Sequence, residues 1–199
     1  MPYAKKYDRT EVLDVAVELF RRKGFEATST SDLANELGIN RKSMYAEFGS
    51  KQGLFEAALE RYEAHHLTRV LSVLESGEAE VDDVKKAFYG YASAGEGRFR
   101  GLGCLMCNTA VERAALDPES GKYVANYIER FTVAFENALL NSQDQGSLAK
   151  TVDIKETAQF LTTCMIGISA CIRAEAPQEQ LWATYNVVAN TLDRIKAGG

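Results

Sequence analysis

The chain has 199 residues, of which 46% are hydrophobic and 26% charged, and it contains only three prolines. This balance is typical of a soluble globular protein and excludes a disordered chain, while the scarcity of proline favours long helices. No apolar run approaches the roughly 18 residues of a membrane-spanning helix, and the N-terminal residues lack the apolar core of a secretion signal. We therefore expect an all-α, cytoplasmic protein with no membrane partner and with four reduced cysteines.

The net charge of −5 is unevenly distributed along the chain. Residues 1–51 carry a formal charge of +1, and the remaining residues carry −6. Basic side chains concentrate in the first segment at Lys5, Lys6, Arg9, Arg41, Lys42 and Lys51. Because affinity for nucleic acid depends on neutralising phosphates, this segment is the candidate for DNA binding.

Short helical segments separated by single glycines occupy the first fifty residues. Apolar residues at helical spacing, followed by basic residues and Gly24, predict a first helix, and a capping box at 29–32 begins a second. The turn at 38–40 ends in an asparagine that caps a third helix starting at Arg41. That helix stops at another glycine, and Ser50 caps a fourth. The order is typical of a helix-turn-helix.

Longer helices follow, and no alternating pattern predicts a strand. We predict helices over residues 54–74, 84–91, 104–115, 117–141, 154–173 and 178–196. A glycine-rich break is expected over 90–103 and a polar loop over 142–147. The chain as a whole is therefore expected to be helical throughout.

Particular residues within this pattern carry a resemblance to a known family. They are Gly24-Phe25-Glu26-Ala27-Thr28-Ser29, Asp32-Leu33-Ala34, Leu37-Gly38-Ile39, Met44-Tyr45, Phe48, Ser50-Lys51 and Leu54. Their order resembles the N-terminal signature of the TetR family of transcriptional regulators and covers residues 10–59. The resemblance implies a DNA-binding domain over 1–53 and a helical effector-binding and dimerisation domain over 54–199. It also implies a homodimeric repressor that binds a palindromic double-stranded DNA operator and is released by a small-molecule effector.

The start of the third helix is the candidate for recognising bases, because an α-helix enters the major groove and its first residues reach base edges. The residues there are Arg41, Lys42 and Ser43. The starts of the second and fourth helices offer free N–H groups to phosphates, and the residues there are Thr28, Ser29, Thr30 and Lys51. Tyr45 has a polar tip that can reach a phosphate. The family resemblance implies this role for Tyr45 and Lys51.

Two residues depart from the family pattern. Lys42 stands where a small residue is common, and Glu47 stands where a histidine or a neutral polar residue is common. Glu47 would either repel a phosphate or accept a hydrogen bond from a cytosine amino group. We also expect the N-terminal arm, with Lys5, Lys6 and Arg9, to contact the DNA backbone or minor groove if it orders on DNA.

The last two helices carry apolar stripes at helical spacing. We assign Leu161, Met165, Ile168, Leu181, Tyr185, Val188 and Leu192 to a dimer interface. The resemblance implies that these helices form an intermolecular four-helix bundle. The alternative is that the stripes pack within their own chain, because periodicity does not distinguish the two kinds of burial.

The middle helices are rich in aromatic residues, and the resemblance implies an effector pocket there. Its candidate lining is Phe88, Tyr91, Cys104, Cys107, Tyr127 and Phe131, with plain core packing as the alternative. Cys104 and Cys107 lie three residues apart at a predicted helix N-terminus, where the helix dipole lowers a thiol pKa. They are candidates for sensing an oxidant, an electrophile or a metal, and inert packing is the alternative.

The sequence contains no pairing of nucleophile and base, no phosphate loop and no metal-ligand cluster. We therefore expect no enzyme activity, no cofactor and no metal. The alternative function is a CxxC thiol oxidoreductase or a metal-handling protein with a helical fold. That alternative leaves the first fifty residues unexplained.

Overall fold

The computed structural model describes residues 7–197, and helices α1–α10 account for most of them. Across this range the backbone forms no strand, and one isolated bridge joins Leu148 to Lys196. The prediction of an all-α fold is therefore confirmed.

The predicted helix-turn-helix is present as α1 (Arg9–Lys23), α2 (Thr30–Glu36) and α3 (Arg41–Phe48). The side chains of Asp8, Ser29 and Asn40 each accept a hydrogen bond from a first-turn backbone N–H and so begin these helices. Helix α1 ends at Gly24, whose φ of 83° lies in the left-handed region. The helices share a core that includes Phe20, Leu33, Met44 and Phe48.

The next helical stretch is interrupted, although the sequence predicts one continuous helix. It consists of α4 (Lys51–Tyr62), a π-helical turn (Glu63–Leu67) and α5 (Thr68–Leu71). The π-helical turn shifts the register of the side chains that follow it. Within this turn, His66 stacks on Tyr62 with 5.0 Å between ring centroids.

The predicted break at residue 90 is wrong. Gly90 lies inside α6 (Val81–Ser93), which is held on both sides of the glycine by the buried Phe88 and Ala92. The chain leaves the helix only after residue 93, makes a 3-10 turn (Gly97–Phe99) and enters α7 (Leu105–Glu112). A single glycine costs a helix about 1 kcal/mol, which packing on both sides outweighs.

Three long helices complete the chain: α8 (Pro118–Asp144), α9 (Ile154–Arg173) and α10 (Gln178–Arg194). Helix α8 continues past its predicted end because Ser142 is buried and its Oγ accepts a hydrogen bond from the backbone N–H of Val81 at 2.9 Å. Helix α8 packs along α9, and α10 packs on α6.

These packings bury the apolar stripes of α9 and α10 inside the chain. Six of the seven residues assigned to a dimer interface are at most 1% exposed: Leu161, Met165, Ile168, Leu181, Val188 and Leu192. The seventh, Tyr185, is half-buried beside Tyr89 and Trp182. The assignment of the six is corrected accordingly, because they cannot touch a second copy without opening this core. A partner would meet the opposite faces of the two helices.

Candidate DNA-binding surface and effector pocket

The start of α3 forms an exposed basic surface. Arg41, Lys42 and Tyr45 are exposed, and Ser43 is half-buried. The side chain of Asn40 accepts a hydrogen bond from the backbone N–H of Ser43 at 2.8 Å, which fixes the first turn of the helix. The guanidinium of Arg41 donates to Ser31 Oγ in α2. The side chains predicted to recognise bases therefore project together from one capped helix end.

Glu47 does not face outward with these residues. Its carboxylate lies 3.3 Å from Arg9 Nε and accepts a hydrogen bond from the Tyr7 hydroxyl at 3.3 Å. The Arg9 guanidinium also lies 5.6 Å from the centre of the Phe48 ring. Glu47 thus attaches the N-terminal segment to α3, which corrects the expectation that it meets a phosphate or a cytosine. Lys5 and Lys6 of the predicted basic arm lie outside the described residues.

The three residues before and at the start of α2 differ in accessibility. Thr28 is fully buried, and its hydroxyl donates to the Gly24 carbonyl at 2.5 Å, so its assignment as a DNA contact is corrected. Ser29 is exposed, but its side chain forms the predicted capping box with Asp32. Thr30 is half-buried at the first position of the helix. This turn mainly positions α2 and thereby α3.

Lys51 begins α4 beside the aromatic core of the N-terminal domain. Its Nζ lies 4.1 Å from the centre of the Phe25 ring, a cation–π contact that fixes the direction of the side chain. Burial lowers the pKa of Lys51, and the charge of Glu26 opposes this shift. The lysine is therefore an oriented cation at a helix N-terminus, as the sequence predicts.

The C-terminal end of α7 holds the loop between α1 and α2. Glu112 accepts hydrogen bonds from the backbone N–H groups of Phe25, at 3.0 Å, and Glu26, at 2.8 Å. We call this pair of bonds the α7–loop contact. The neighbouring Arg113 pairs with Glu26 at 2.6 Å and lies 3.8 Å from the centre of the Phe25 ring. Helix α7 is thus connected directly to the loop between α1 and α2.

A cavity of about 290 Å³ lies at the other end of α7. Its lining includes Arg21, Tyr62, His66, Arg69, Lys86, Tyr91, Phe99, Gly103 and Cys104. The predicted pocket residues Tyr91 and Cys104 therefore belong to it. The prediction is corrected for Phe88, Tyr127 and Phe131, which are at most 1% exposed and pack in the core. Cys107 lines a different cavity.

The two neighbouring thiols have opposite electrostatic surroundings. Burial raises the pKa of Cys104, but hydrogen-bond donors of Cys107, Tyr62 and the first-turn backbone of α7 outweigh burial and lower that pKa to about 6. The pKa of Cys107 is raised by its interaction with Cys104 and by burial. Cys107 Sγ also lies 3.4 Å from the Tyr127 hydroxyl oxygen. These surroundings favour the thiolate form of Cys104 and the protonated form of Cys107.

Sequence analysis did not predict the basic and polar residues that line the pocket. Arg21 is interpreted there only as a basic residue in the last turn of α1, but it is buried and its Nε donates to the Gly103 carbonyl at 3.1 Å. His66 and Arg69 follow a helical pattern in sequence, and the π-helical turn changes which side they face. Their spacing carries no signal of the pocket, because contacts between distant segments create it.

Both thiols are shielded from large partners. Cys104 is 3% exposed and Cys107 is 5% exposed, so a protein disulfide cannot reach either sulfur in this conformation. In the described range, no three His, Cys, Asp or Glu side chains are arranged to hold a metal ion together. None of the helices described is long and apolar enough to span a membrane.

Comparison with known proteins identifies both halves of the chain. Residues 12–58 match the model for bacterial regulatory proteins of the tetR family, and residues 77–186 match the tetracyclin repressor-like C-terminal domain. YezE, an HTH-type transcriptional regulator of Bacillus subtilis, is 30% identical over 95% of this chain and 98% of its own length. ComR, an HTH-type transcriptional repressor of Escherichia coli, is 31% identical over 89% of this chain and 85% of its own.

A solved structure extends the similarity to a DNA complex. A cysteine variant of the TetR-family regulator CifR, bound to double-stranded operator DNA, superposes with a TM-score of 0.71 and 27% identity. The alignment covers 96% of this chain and 98% of that chain. The exposed basic start of α3, the helix-turn-helix geometry and these matches lead to one conclusion. The chain belongs to the TetR family of DNA-binding transcriptional regulators.

Proposed function

We propose that this protein is a homodimeric repressor that binds a palindromic operator through α3 and is released by a small-molecule effector. The observation that carries the proposal is the exposed basic start of α3, formed by Arg41 and Lys42 on a helix fixed by its cap. The operator complex of CifR supports the DNA partner. The naming of ComR as a repressor supports the direction of regulation.

Two kinds of DNA contact follow from the positions of the basic residues. Arg41 and Lys42 lie in the first turn of α3 and donate to guanine acceptors in the major groove. Lys51 lies in the first turn of α4 and binds a phosphate. Tyr45 is exposed one turn further along α3 and reaches the backbone with its hydroxyl. Bases are therefore recognised from α3, and position along the duplex is set from α4.

A single α3 covers one half-site, so the proposal requires a second copy. The outward faces of α9 and α10 suit this contact. Phe160 is 45% exposed and Val187 is 61% exposed. Gly167 and Ala170 are exposed on the face of α9 that carries Phe160, and the space beside Gly167 is open, which permits close helix packing. The buried stripes of the same helices support this interface from inside.

The cavity at the start of α7 is the proposed effector site. One wall is Arg21, a residue of α1, so a ligand in this cavity touches the DNA-binding domain directly. A ligand that fits better when α1 has shifted would favour the conformation with badly spaced α3 helices. The α7–loop contact offers a second connection from the cavity to α2, along α7 itself.

Selection of bound sequences from a random DNA pool tests the DNA-binding part of the proposal. We expect a palindrome with half-sites about one helical turn apart, recovered by the wild-type protein. Arg41→Ala should then relax the preference at particular bases. Lys51→Ala should weaken binding to all sequences alike and reduce the slope of log affinity against log salt by about 0.9 for each phosphate lost.

Three results would contradict the proposal. If no sequence is enriched, the protein has no specific operator. If only an unpaired half-site is enriched, the protein does not bind DNA as a dimer. Equal loss at every base for both variants would contradict the division of roles between α3 and α4. Arg22→Ala is the matched control, because Arg22 is an exposed basic residue of α1 that pairs with Glu36 at 3.4 Å and is not one of the proposed DNA contacts.

A further inference from the structure

The charged side chains that line the effector pocket are all basic. Arg21, Arg69 and Lys86 lie in its wall together with His66, and no aspartate or glutamate does. The whole chain carries a net charge of −5, so this concentration of positive charge differs from the composition of the protein. A cleft lined by one sign of charge raises the local concentration of the oppositely charged ligand.

The buried positive charge of Arg21 is not neutralised by a carboxylate among the described residues, whereas Lys86 is 75% exposed and its Nζ lies 2.9 Å from Asp83 Oδ1. Arg21 is buried, and its guanidinium donates to the Gly103 carbonyl and lies near the rings of Tyr62, at 5.6 Å, and Phe99, at 5.7 Å. Its neighbours are therefore a carbonyl and two rings, not a carboxylate. Burial lowers the pKa of His66, the charges of Arg21 and Arg69 lower it further, and the charge of Asp14 opposes this shift. Burying a cation such as Arg21 is costly unless an anion joins it.

The same wall presents one nucleophile to the cavity. Cys104 lines the cavity, whereas Cys107 lines another one and is engaged with Tyr127. Cys104 stands at the N-terminal end of α7, where the Tyr62 hydroxyl and the first-turn N–H groups of that helix favour its thiolate form. The thiolate is the reactive form of cysteine. A small ligand that enters the cavity therefore meets a reactive sulfur beside a cluster of cations.

We propose that the effector is a small organic anion with an electrophilic carbon, and that Cys104 Sγ forms a covalent bond with that carbon. The inference rests on the proposed function, because it names the effector class of the same pocket. Arg21 and Arg69 hold the negative group, and the cavity of about 290 Å³ limits the ligand to a small molecule. The protein thus selects by charge before it reacts.

For an α,β-unsaturated carboxylate, the reaction is a conjugate addition. The Cys104 thiol loses its proton to water, and a sulfur lone pair forms the bond to the β-carbon. The π electrons of the carbon–carbon double bond move to the α-carbon, which takes up a proton from water. The net change is thiol plus alkene to thioether, so no oxidant or reductant is required.

The adduct lies next to the contact between Arg21 and Gly103. Gly103 precedes Cys104, and its φ of 62° leaves little freedom, because a Cβ there would lie 2.9 Å from Arg173 Cβ. Extra atoms on Cys104 would lie in the cavity beside this segment, where Arg21 of α1 donates to the Gly103 carbonyl. We expect the adduct to lower the affinity for the operator.

The test compares alkylation of the full-length protein by iodoacetate, which is anionic, and iodoacetamide, which is neutral and of similar size. Each reagent forms a sulfur–carbon bond and releases iodide. Initial rates at each cysteine are measured by peptide mass spectrometry at pH 7, with the same cysteine in the unfolded chain as the reference. We expect the iodoacetate to iodoacetamide rate ratio at Cys104 to exceed its reference about tenfold or more.

Variants identify the cause of any preference. Arg69→Gln should bring the ratio at Cys104 towards its reference, whereas Arg22→Gln removes a charge outside the cavity and should leave it unchanged. A ratio at Cys104 equal to its reference, or a Cys104 that does not react at all, would overturn the inference. Operator affinity of the unmodified protein is measured separately, so failure of DNA binding is distinguished from failure of the pocket chemistry.

Discussion

Glu112→Ala tests whether α7 holds the DNA-binding domain in place. The substitution removes the acceptor of two backbone hydrogen bonds, at 3.0 Å to Phe25 and at 2.8 Å to Glu26. A hydrogen bond to a charged group contributes about 1.5–3 kcal/mol, and the full value applies only where water cannot replace the acceptor. The Phe25 N–H is partly buried and the Glu26 N–H is exposed, so we expect a loss of about 2 kcal/mol in the free energy of unfolding.

The assay is thermal unfolding followed by circular dichroism, with operator affinity measured in parallel. For a protein of this size, about 2 kcal/mol corresponds to a fall in Tm of roughly 4–8 °C. The control is Glu119→Ala, which breaks an exposed pair with Lys122 worth at most about 1 kcal/mol. If Glu112→Ala lowers Tm no more than Glu119→Ala does, the α7–loop contact does not stabilise the domain and the reasoning is wrong.

Three further outcomes are expected. Gly24→Ala should destabilise the protein more than Gly49→Ala. Both glycines have positive φ, but only a Cβ at Gly24 would meet a carboxylate oxygen, at 2.8 Å. Equal midpoints in the unfolding curves of the two variants would contradict this prediction. The pKa of Cys104, lowered to about 6, means that its alkylation rate rises as pH increases through about 6 and is level above pH 7; a midpoint near 8.5, as for an ordinary thiol, would refute this. Val187→Glu should raise the dimer dissociation constant by about a hundredfold in sedimentation experiments, because it places an unpaired charge in the proposed interface, whereas the equally exposed Val73→Glu should have no effect.

Much of the helix-turn-helix was predictable from sequence because its signals are local. Ser29 and Asn40 accept hydrogen bonds from N–H groups three residues away, and a glycine with positive φ follows α1 and α3. Such interactions need no information about the rest of the chain. The prediction that Arg41 lies on an exposed helix start follows from the same short-range order. The operator sequence and the identity of the effector are not encoded in such local signals.

The predictions from sequence were wrong for residues whose environment is determined by distant segments of the chain. Thr28 was expected at the DNA surface, but its hydroxyl is buried under the end of α1. Gly90 was expected to end a helix, but packing on both sides continues it. Phe131 was expected in a pocket and lies in the core. Residue type and spacing are equally compatible with either outcome in each case.

The sequence by itself determined the helical class, the order of the helices and the family signature, because periodicity, caps and turn residues act over a few neighbouring positions. Only the tertiary structure decided which face of each helix is buried. Packing of α8 on α9 and of α10 on α6 buries the stripe that includes Leu161 and leaves Val187 exposed. Packing of α1 against the start of α7 places Arg21 beside Cys104. Arg21 and Gly103 are 82 positions apart, and no local pattern encodes which distant partner a helix face will meet.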